Sequence, residues 1–577
     1  MAFLLKKVER PRELKWYQAG SMLYGDWGTS KAYVLGLAFA IAGHASMFFL
    51  LAMSVLTVII GLCYVIICKA YPDGGGVYSS VRKRSHTLAV IGALLLIADY
   101  VVTASLSSLD AFHYLGVAHP EWWAIGALVL IGVINIVGPT RSGDIAAFIA
   151  VSTAAVLVIL CMVVVPDLKH IQIAPPEGAW FSNWTKFVGI VLALSGVEAI
   201  ANVTGIMVEP VKKTAKRAIL PVLLEVTVIS LILGAAMNSI PGLSGHTEDM
   251  IRVIGDHYVG VWFGGLVAVV LGLLLLSACN TAIMGLVSIT FLMSKDKELP
   301  PIFNDLNRYG MPWFGLFVAA SLPIAVLLWQ HRVEQLAALY AIGVVGAITI
   351  NLGACCTNFK LSIKGHERLL LSVAAVIMVL IECTIVYEKH RAVIFVAAVL
   401  TVGLIARSTA QWIDKRKVIM PVPELGINVL SLEEARDLMP LYKGSTLVAI
   451  KSISASLINE AVLHAKGKHE SVVYSLFVEE MPPGWAYPTE VEPSREAVKV
   501  LNQAVQAFEK QGVTAVPLWS FGDNAGALIV KTAKDLNLGT VMIGTTKRGT
   551  VERLLRGEVL KTISEQLPQN KRLVICN

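Results

Sequence analysis

Twelve runs of apolar residues fill most of the first 407 positions, and this feature restricts the fold more than any other. A helix that crosses a lipid bilayer needs about 20 consecutive, predominantly apolar residues. Charged side chains are scarce in this part of the chain, where 28 are basic and 23 are acidic. We therefore predict an all-α membrane domain of twelve transmembrane helices at residues 20–407, after an N-terminal cytoplasmic segment at 1–19. The runs lie at residues 20–44, 46–70, 88–113, 122–138, 145–165, 183–208, 218–240, 260–290, 312–330, 334–357, 368–387 and 391–407.

Lysine and arginine are distributed unevenly among the loops that join these runs. If both ends of the membrane domain face the cytoplasm, 21 of its 28 basic residues fall on the cytoplasmic side. The basic clusters at residues 82–84 and 212–217 both lie on that side. Cytoplasmic loops of membrane proteins carry such an excess of basic residues. The pattern predicts a multi-pass protein of the inner membrane whose N- and C-termini are both cytoplasmic.

The last 170 residues have a different composition, with 38 charged side chains. Short β-rich runs alternate there with helical runs, which is typical of a parallel α/β sheet. We predict a linker at residues 408–440 and a cytoplasmic α/β domain at 441–577. The predicted strands are 446–450, 472–478, 515–519, 540–543 and 573–575, and the predicted helices are 456–465, 495–511 and 526–536.

Several classes of function are disfavoured by composition. The net charge of +7 is small for 577 residues and is shared by both parts of the chain, so we expect no nucleic-acid partner. The eight cysteines have no C-x-x-C spacing, and we predict neither a disulfide framework nor a resident metal. No assembled nucleophile, base and orienting residue is visible, so we expect no catalytic residues and no enzyme.

Three acidic residues, Asp26, Asp99 and Glu198, lie well inside the apolar runs, where a charge is costly and usually marks a pathway or site. Asp26 belongs to the sequence YGDWGTS at residues 24–30, and Glu198 ends the sequence SGVE at residues 195–198. Glycine disfavours helix at both places, which predicts two interrupted helices. These helices are the first members of two five-helix sets, and matching interruptions in two halves point to a transport site.

Hydroxyl groups accompany these acids. Asp99, Thr103 and Ser107 are spaced four residues apart and therefore share one face of the third helix. Tyr340 lies in the tenth run. Carboxylate, hydroxyl and carbonyl oxygens that converge from several helices suit a hard monovalent or divalent cation. Lys31 lies in the same region, and it could either point away from the site or pair with a carboxylate.

The membrane domain resembles the amino acid–polyamine–organocation (APC) superfamily. Its general marks are the sequences YPDGGGVY at residues 71–78, EPVKK at 209–213 and SKDKELPP at 294–301. The resemblance covers most of residues 15–407. It implies a LeuT-like fold with inverted five-helix repeats and a secondary transporter that works by alternating access.

Within the superfamily, residues 24–33 are similar to the pattern Y-G-D-x-G-T-S-x-x-Y of the KUP potassium-uptake branch, which includes the KimA-type importers. The resemblance implies uptake of potassium with protons, Asp26 and Glu198 being the candidate proton carriers. Members usually have threonine where this chain has Ser195, and Lys31 is the larger departure from the pattern. The potassium ligands implied by the resemblance are Asp26, Tyr33, Asp99, Thr103, Ser107, Ser195, Glu198 and Tyr340.

The tail is similar to universal-stress-protein domains, from the sequence TLVAIK at residues 446–451 to the glycines near its end. That family binds nucleotide through a glycine-rich loop, whose free backbone amides hold phosphate. The candidate loop residues here are Gly544, Gly549 and Gly557. Lys547 stands at a glycine position of that loop, and Glu558 stands at its final hydroxyl position. We therefore expect the tail to form a homodimer or to regulate gating, rather than to bind a nucleotide cofactor.

Two other functions stay open at this point. An amino acid or polyamine permease would use the acidic site for a cationic substrate. A membrane sensor that signals through the tail without transport is the third candidate.

Overall fold

A computed structural model of the protein describes residues 6–7, 12, 14–82, 84–137, 142–171, 173–240, 243, 246–307, 309–419, 429–438, 444–480, 490–491, 493–522, 524–544 and 559–576. Within these residues, the first part of the chain forms a helical membrane domain and the last part forms an α/β domain. The helices of the membrane domain are α1 (Trp16–Trp27), α2 (Ser30–Ala42), α3 (Ser46–Ala70), α4 (Val77–Arg82), α5 (His86–Tyr114), α6 (Pro120–Asn135), α7 (Ser142–Val164), α8 (Trp180–Gly189), α9 (Ala199–Asn202), α10 (Val211–Met237), α11 (Met250–Tyr258), α12 (Val261–Lys295), α13 (Trp313–Trp329), α14 (Val333–Cys356), α15 (Gly365–Glu388) and α16 (His390–Ile419).

Eight helical stretches of the described chain are long and apolar enough to cross a membrane, or nine if the bent pair Trp180–Gly189 and Val191–Ile206 forms one span. The first of them, Trp16–Ala70, is 55 residues long and far exceeds the length of one crossing. The two apolar helices Pro120–Asn135 and Trp313–Trp329 are shorter. A multi-pass helical membrane domain is thus established, while the twelve crossings remain a prediction.

Both predicted helix interruptions have a local cause in the sequence. Between α1 and α2, the hydroxyls of Thr29 and Ser30 donate to the carbonyls of Asp26 and Trp27. Between α8 and α9, a short 3₁₀ segment leads to Gly196, whose φ of +85° lies in the region that favours glycine. Each interruption therefore places an acidic side chain beside backbone that is not regular α-helix.

The tail folds as a five-stranded, fully parallel sheet, which confirms the predicted α/β class. The strands are β2 (Thr446–Ala449), β3 (Val472–Glu480), β5 (Thr514–Gly522), β6 (Thr540–Gly544) and β7 (Arg572–Cys576), and the helices are α17 (Leu432–Leu438), α18 (Ala455–Gly467), α19 (Arg495–Glu509), α20 (Ala525–Asp535) and α21 (Val559–Gln566). The strand order in the sheet is β5–β3–β2–β6–β7, and helices α18 and α19 connect β2 to β3 and β3 to β5.

The two ends of the chain also meet. Strand β1 (Lys6–Lys7) pairs antiparallel with β4 (Glu490–Val491), which follows β3 in the tail. In addition, the Leu14 backbone amide donates to the carbonyl of Ile206 over 2.9 Å. The segment that precedes α1 is therefore held by the tail and by the end of the second interrupted helix.

Candidate functional site

The two interrupted helices touch each other at Asp26. A Cβ atom added to Gly196 would lie 2.6 Å from the backbone nitrogen of Trp27 and 2.8 Å from the carbonyl carbon of Asp26. Real Cβ atoms do not approach backbone this closely, so the contact requires glycine at position 196. The SGVE sequence therefore supplies close packing against α1 as well as an acid.

Asp26, Asp99 and Glu198 converge at this contact. All three side chains are buried, and Asp99 and Glu198 interact electrostatically with each other and with Asp26. Helix α14 approaches the same point, because a Cβ on Gly343 would lie 3.0 Å from the Asp99 backbone nitrogen. Three carboxylates from α1, α5 and the segment before α9 thus share one small region.

The oxygens of these acids are poorly satisfied. Within the described residues, Asp26 Oδ1, Asp99 Oδ2 and both carboxylate oxygens of Glu198 have no hydrogen-bond partner. A buried charge without a partner costs several kcal/mol, roughly, so such groups are normally paired with a cation or protonated. The cluster is therefore suited to a positive species that binds and leaves, whether an ion, an ammonium group or a proton.

Hydroxyl groups complete the cluster. The hydroxyls of Ser195 and Tyr340 are hydrogen-bonded to each other, and Tyr33 lies close to Ser195 and Asp26. The Thr103 hydroxyl donates to the Asp99 carbonyl over 2.9 Å, as membrane-helix threonines usually do. Seven of the eight predicted ligands are thus brought together. Ser107 lies one turn farther along α5, buried, with no hydrogen-bond partner for its hydroxyl within the described residues.

Lys31 points away from these acids and pairs with Glu225 on α10. Its Nζ lies 2.6 Å from one oxygen of Glu225 and 2.7 Å from the other. The Tyr24 hydroxyl donates to the same carboxylate over 2.8 Å, and the ammonium lies 4.7 Å from the Tyr24 ring centroid. The lysine that departs from the potassium-uptake pattern is therefore neutralised outside the cluster. Glu225 was missed in the sequence, although it is a lone acid within the apolar run at 218–240.

Tyr100 is a second residue that the sequence did not single out. It lies near Glu198, Asp26 and Asp99, and its hydroxyl accepts a 3.0 Å hydrogen bond from Asn202. On its other side is a cavity of about 130 Å³. The cavity is lined by Leu23, Gly76, Tyr78, Asn202 and Gly285, among others. Tyr100 thus lies near the acidic cluster and lines a cavity next to the loop that follows α3.

The opposite end of the cluster is closed by contacts between α2, α5 and the segment before α11. The Tyr114 hydroxyl donates to the Ala32 carbonyl over 2.8 Å, and His113 lies 2.8 Å from Glu248. A Cβ on Gly36 would clash with the carbonyl oxygen of Thr247. The molecule is therefore packed tightly at one end of the site and has a cavity at the other.

Charged residues surround the open end. Asp296, directly after α12, lies 2.9 Å from Arg82 and accepts a 2.9 Å hydrogen bond from Tyr78, one of the cavity-lining residues. Burial raises the pKa of Asp296 to about 6, although the Arg82 guanidinium opposes the shift. Lys295 lies 3.7 Å from Glu479 of the tail. The open end is thus linked to the tail by an ion pair.

Of the candidate nucleotide loop, only Gly544 is among the described residues, at the end of β6. Gly549 and Gly557 lie outside them, as do Lys547 and Glu558. The Lys468 side chain donates to Thr540 at the opposite end of that strand. A nucleotide site in the tail therefore stays an untested prediction.

Interrupted membrane helices that meet at a buried polar cluster are typical of the substrate sites of secondary transporters. Residues 14–408 match the family described as "Amino acid permease", and the chain belongs to that family. Residues 445–570 match the universal stress protein family, which accounts for the tail. The chain therefore joins a domain of this permease family to a universal-stress-protein domain on its C-terminal side.

Three curated relatives illustrate the range of this family. The chain is 26% identical to "Potassium transporter KimA" of Bacillus subtilis (strain 168), over 60% of this chain and 62% of that protein. It is 23% identical to "Polyamine transporter RMV1" of Arabidopsis thaliana, over 52% of this chain and 64% of that protein. It is also 23% identical to "Amino-acid permease GAP3" of Candida albicans, over 52% of this chain and 55% of that protein. The chain thus spans less than two thirds of the length of each of these relatives.

Proposed function

We propose that this protein imports potassium across the cytoplasmic membrane together with protons. The observation that carries the proposal is the meeting of Asp26, Asp99 and Glu198 at the contact between two interrupted helices, where four of their oxygens have no hydrogen-bond partner within the described residues. Oxygen ligands of this kind replace the hydration shell of an alkali cation. The proposed ligands are Asp26, Tyr33, Asp99, Thr103, Ser107, Ser195, Glu198 and Tyr340.

Charge argues for a cation at this site. A carboxylate at the helix interruption would repel the carboxylate of an amino acid substrate, because like charges at short range cost energy in a buried site. Lys31 does not offset this charge, since its ammonium is held by Glu225. The site therefore keeps a net negative charge that favours a positively charged substrate.

The path of transport follows from the two ends of the site. We place the cavity beside Tyr100 on the cytoplasmic side, because the loop after α3 leads into the basic cluster at residues 82–84. The tight contact of Gly36 with Thr247 then closes the outer side. Rocking of one helix bundle against the other would open the outer side and close the cavity.

Twelve crossings are consistent with these helices. The 55-residue stretch Trp16–Ala70 supplies two crossings, and the bent pair at 180–206 supplies one. The two shorter apolar helices, Pro120–Asn135 and Trp313–Trp329, supply one each beside the seven other long spans. An even number of crossings puts both termini on one side, which the basic loops assign to the cytoplasm.

Proton coupling is a consequence of the same chemistry. Neighbouring buried carboxylates do not readily all stay ionised, so one of them can ligate potassium while another carries a proton. Glu198 and Asp26 are the proposed carriers, because both lie at the helix interruptions and have oxygens without a partner in the part of the chain that the structure describes. A proton that enters from outside with potassium and is released with it into the cytoplasm would complete each cycle.

The names of the relatives do not choose between a potassium importer and an amino acid or polyamine permease. The name of the Bacillus subtilis relative specifies potassium, and that of the Arabidopsis relative specifies polyamine. The second candidate is therefore a permease for a polyamine or a cationic amino acid, whose ammonium group would also fit an acidic cluster beside a cavity of about 130 Å³.

A complementation experiment distinguishes the potassium importer from the polyamine or amino acid permease. Cells without their own potassium importers are made to express the chain, and growth is scored at limiting potassium. We expect growth with the wild-type chain and with the control Glu177→Gln, which removes an exposed carboxylate that is not among the proposed ligands. Asp26→Asn and Glu198→Gln should abolish growth at equal expression. Full growth in both variants would contradict the site, whereas uptake of labelled putrescine or arginine without rescue would favour the second candidate.

The tail is proposed to act as a regulatory domain and to mediate a homodimer. The ion pair of Lys295 with Glu479 supports a regulatory role, since it connects the tail to the end of α12 beside Asp296. Cross-linking in native membranes would test the homodimer, and a chain that stays monomeric at all expression levels would contradict it.

A further inference from the structure

The polar face of α5 does not end at Ser107. Asp110 follows three residues later, so the two side chains lie on neighbouring positions of one helix face. Asp110 is fully buried, and within the described residues neither of its carboxylate oxygens has a hydrogen-bond partner. At a rise of 1.5 Å per residue, it lies roughly 16 Å beyond Asp99, toward the closed end of the molecule.

The surroundings of Asp110 are acidic. Glu248 and Asp249, in the segment before α11, both interact electrostatically with it. Tyr33 on α2 lies in range of Asp110 and of Asp26, so it stands between this acid and the main cluster. A carboxylate that faces two other acids in a buried site is destabilised unless a positive species joins it.

Nearby basic side chains are engaged elsewhere. The Arg252 guanidinium donates to the Tyr114 carbonyl over 3.1 Å and lies 4.0 Å from Asp256. His113 Nδ1 lies 2.8 Å from Glu248, and His246 lies 3.1 Å from Asp249. The basic groups thus contact the neighbours of Asp110, while its own two oxygens keep no partner in the described part of the chain.

We propose that Asp110, with the Glu248 carboxylate, forms a second binding site for a monovalent cation at the outer end of α5, beyond Ser107, the last of the proposed potassium ligands on that helix. This inference rests on the proposed potassium uptake. The outer site takes the ion from the external side before it passes Tyr33 to the cluster at Asp26. Successive sites of moderate strength let an ion enter and leave without a deep energy well at any one of them.

The number of ions bound per chain tests the proposal. The purified full-length chain is titrated with radioactive Rb⁺, an alkali cation that serves as the potassium probe, and bound ions are counted at saturation. We expect about two ions for the wild-type chain and about one for Asp110→Asn. Asp26→Asn should lose the other ion and keep the outer one. In proteoliposomes, Asp110→Asn should raise the KM for Rb⁺ uptake about tenfold, which corresponds to one lost charged contact.

Two further variants serve as controls. Glu177→Gln removes an exposed carboxylate and should bind both ions as the wild type does. If Asp110→Asn cannot be purified in folded form, Glu248→Gln provides the test, and it should weaken one of the two binding events about tenfold. One ion in the wild-type chain, with an unchanged number and affinity in Asp110→Asn and Glu248→Gln, would overturn the outer site and leave potassium uptake intact. No Rb⁺ binding by the wild-type chain would overturn both.

Discussion

Lys31 and Glu225 form a buried ion pair, in which the ammonium nitrogen lies 2.6 Å and 2.7 Å from the two carboxylate oxygens. The pair joins α2, the half-helix after the first interruption, to α10. The pair holds the positive charge of Lys31 at Glu225 and not at Asp26. It also connects the half-helix α2, beside the site, to α10. The cation site and the ion pair are therefore two parts of one electrostatic arrangement.

The Lys31–Glu225 pair should stabilise the fold only as a pair. Glu225→Gln leaves a buried ammonium without its partner, a change that costs about 3–5 kcal/mol. We expect Glu225→Gln to lower the melting temperature strongly, and Lys31→Met combined with Glu225→Met to recover most of the loss. Thermal unfolding followed by size-exclusion chromatography measures both. Equal melting temperatures for the single variant and the wild type would contradict the pairing.

Gly196 should tolerate no side chain. Gly196→Ala places a Cβ 2.6 Å from the Trp27 backbone and strains a φ of +85°, so the two interrupted helices must separate. We expect loss of uptake at normal expression. Gly353→Ala in α14 is the matched control, because a Cβ there meets no atom within 4 Å. Wild-type uptake by Gly196→Ala would show that the contact with Asp26 is dispensable.

Tyr340 should contribute to binding through its hydroxyl. Tyr340→Phe removes one oxygen and leaves the Ser195 hydroxyl without its partner, which costs about 1–3 kcal/mol for a buried group. We expect a KM for Rb⁺ uptake roughly tenfold higher or more, with little change in expression. Tyr387→Phe, at an exposed position on α15, serves as the control and should leave the KM unchanged.

Asp296 should make uptake sensitive to cytoplasmic pH. Its pKa of about 6 lies above the ordinary value, so the folded protein holds this proton more tightly than the unfolded chain does. Ionisation of Asp296 therefore lowers the free energy of unfolding as pH rises toward 6, and the ion pair with Arg82 is complete only above that value. We expect Asp296→Asn to reduce uptake at an internal pH of about 7.5 and to match the wild type below about 5.5. If uptake by Asp296→Asn and by the wild type in proteoliposomes depended on internal pH in the same way, this role of Asp296 would be excluded.

Much of the site could be predicted because its chemistry is local. The glycines and hydroxyls around Asp26 and Glu198 disfavour regular helix, and the spacing of Asp99, Thr103 and Ser107 defines one helix face. The five strands of the tail were also predicted within three residues of their observed ends, because short β-rich runs between helical runs are distinctive.

Other parts depend on which helices touch, and a single sequence does not contain that information. The partner of Lys31 could not be chosen, because Glu225 follows it by nearly two hundred residues and belongs to an otherwise apolar helix. Tyr100 and Asp110 were overlooked for the same reason. A tyrosine in an apolar helix, such as Tyr100, is usually a packing residue. The acidic neighbours of Asp110 come from a segment far along the chain.

The pairing of β1 with β4 has a mechanical consequence. The chain between Lys7 and the start of α1 is only eight residues long, and it can extend to no more than about 30 Å. If the tail moves farther than this short segment can extend, the segment must pull on α1, the half-helix that contains Asp26 near its end. The tail thus has two attachments to the moving parts, one through Lys295 at α12 and one through the N-terminal strand, so a rotation of the tail would exert torque on the site from both ends of the chain.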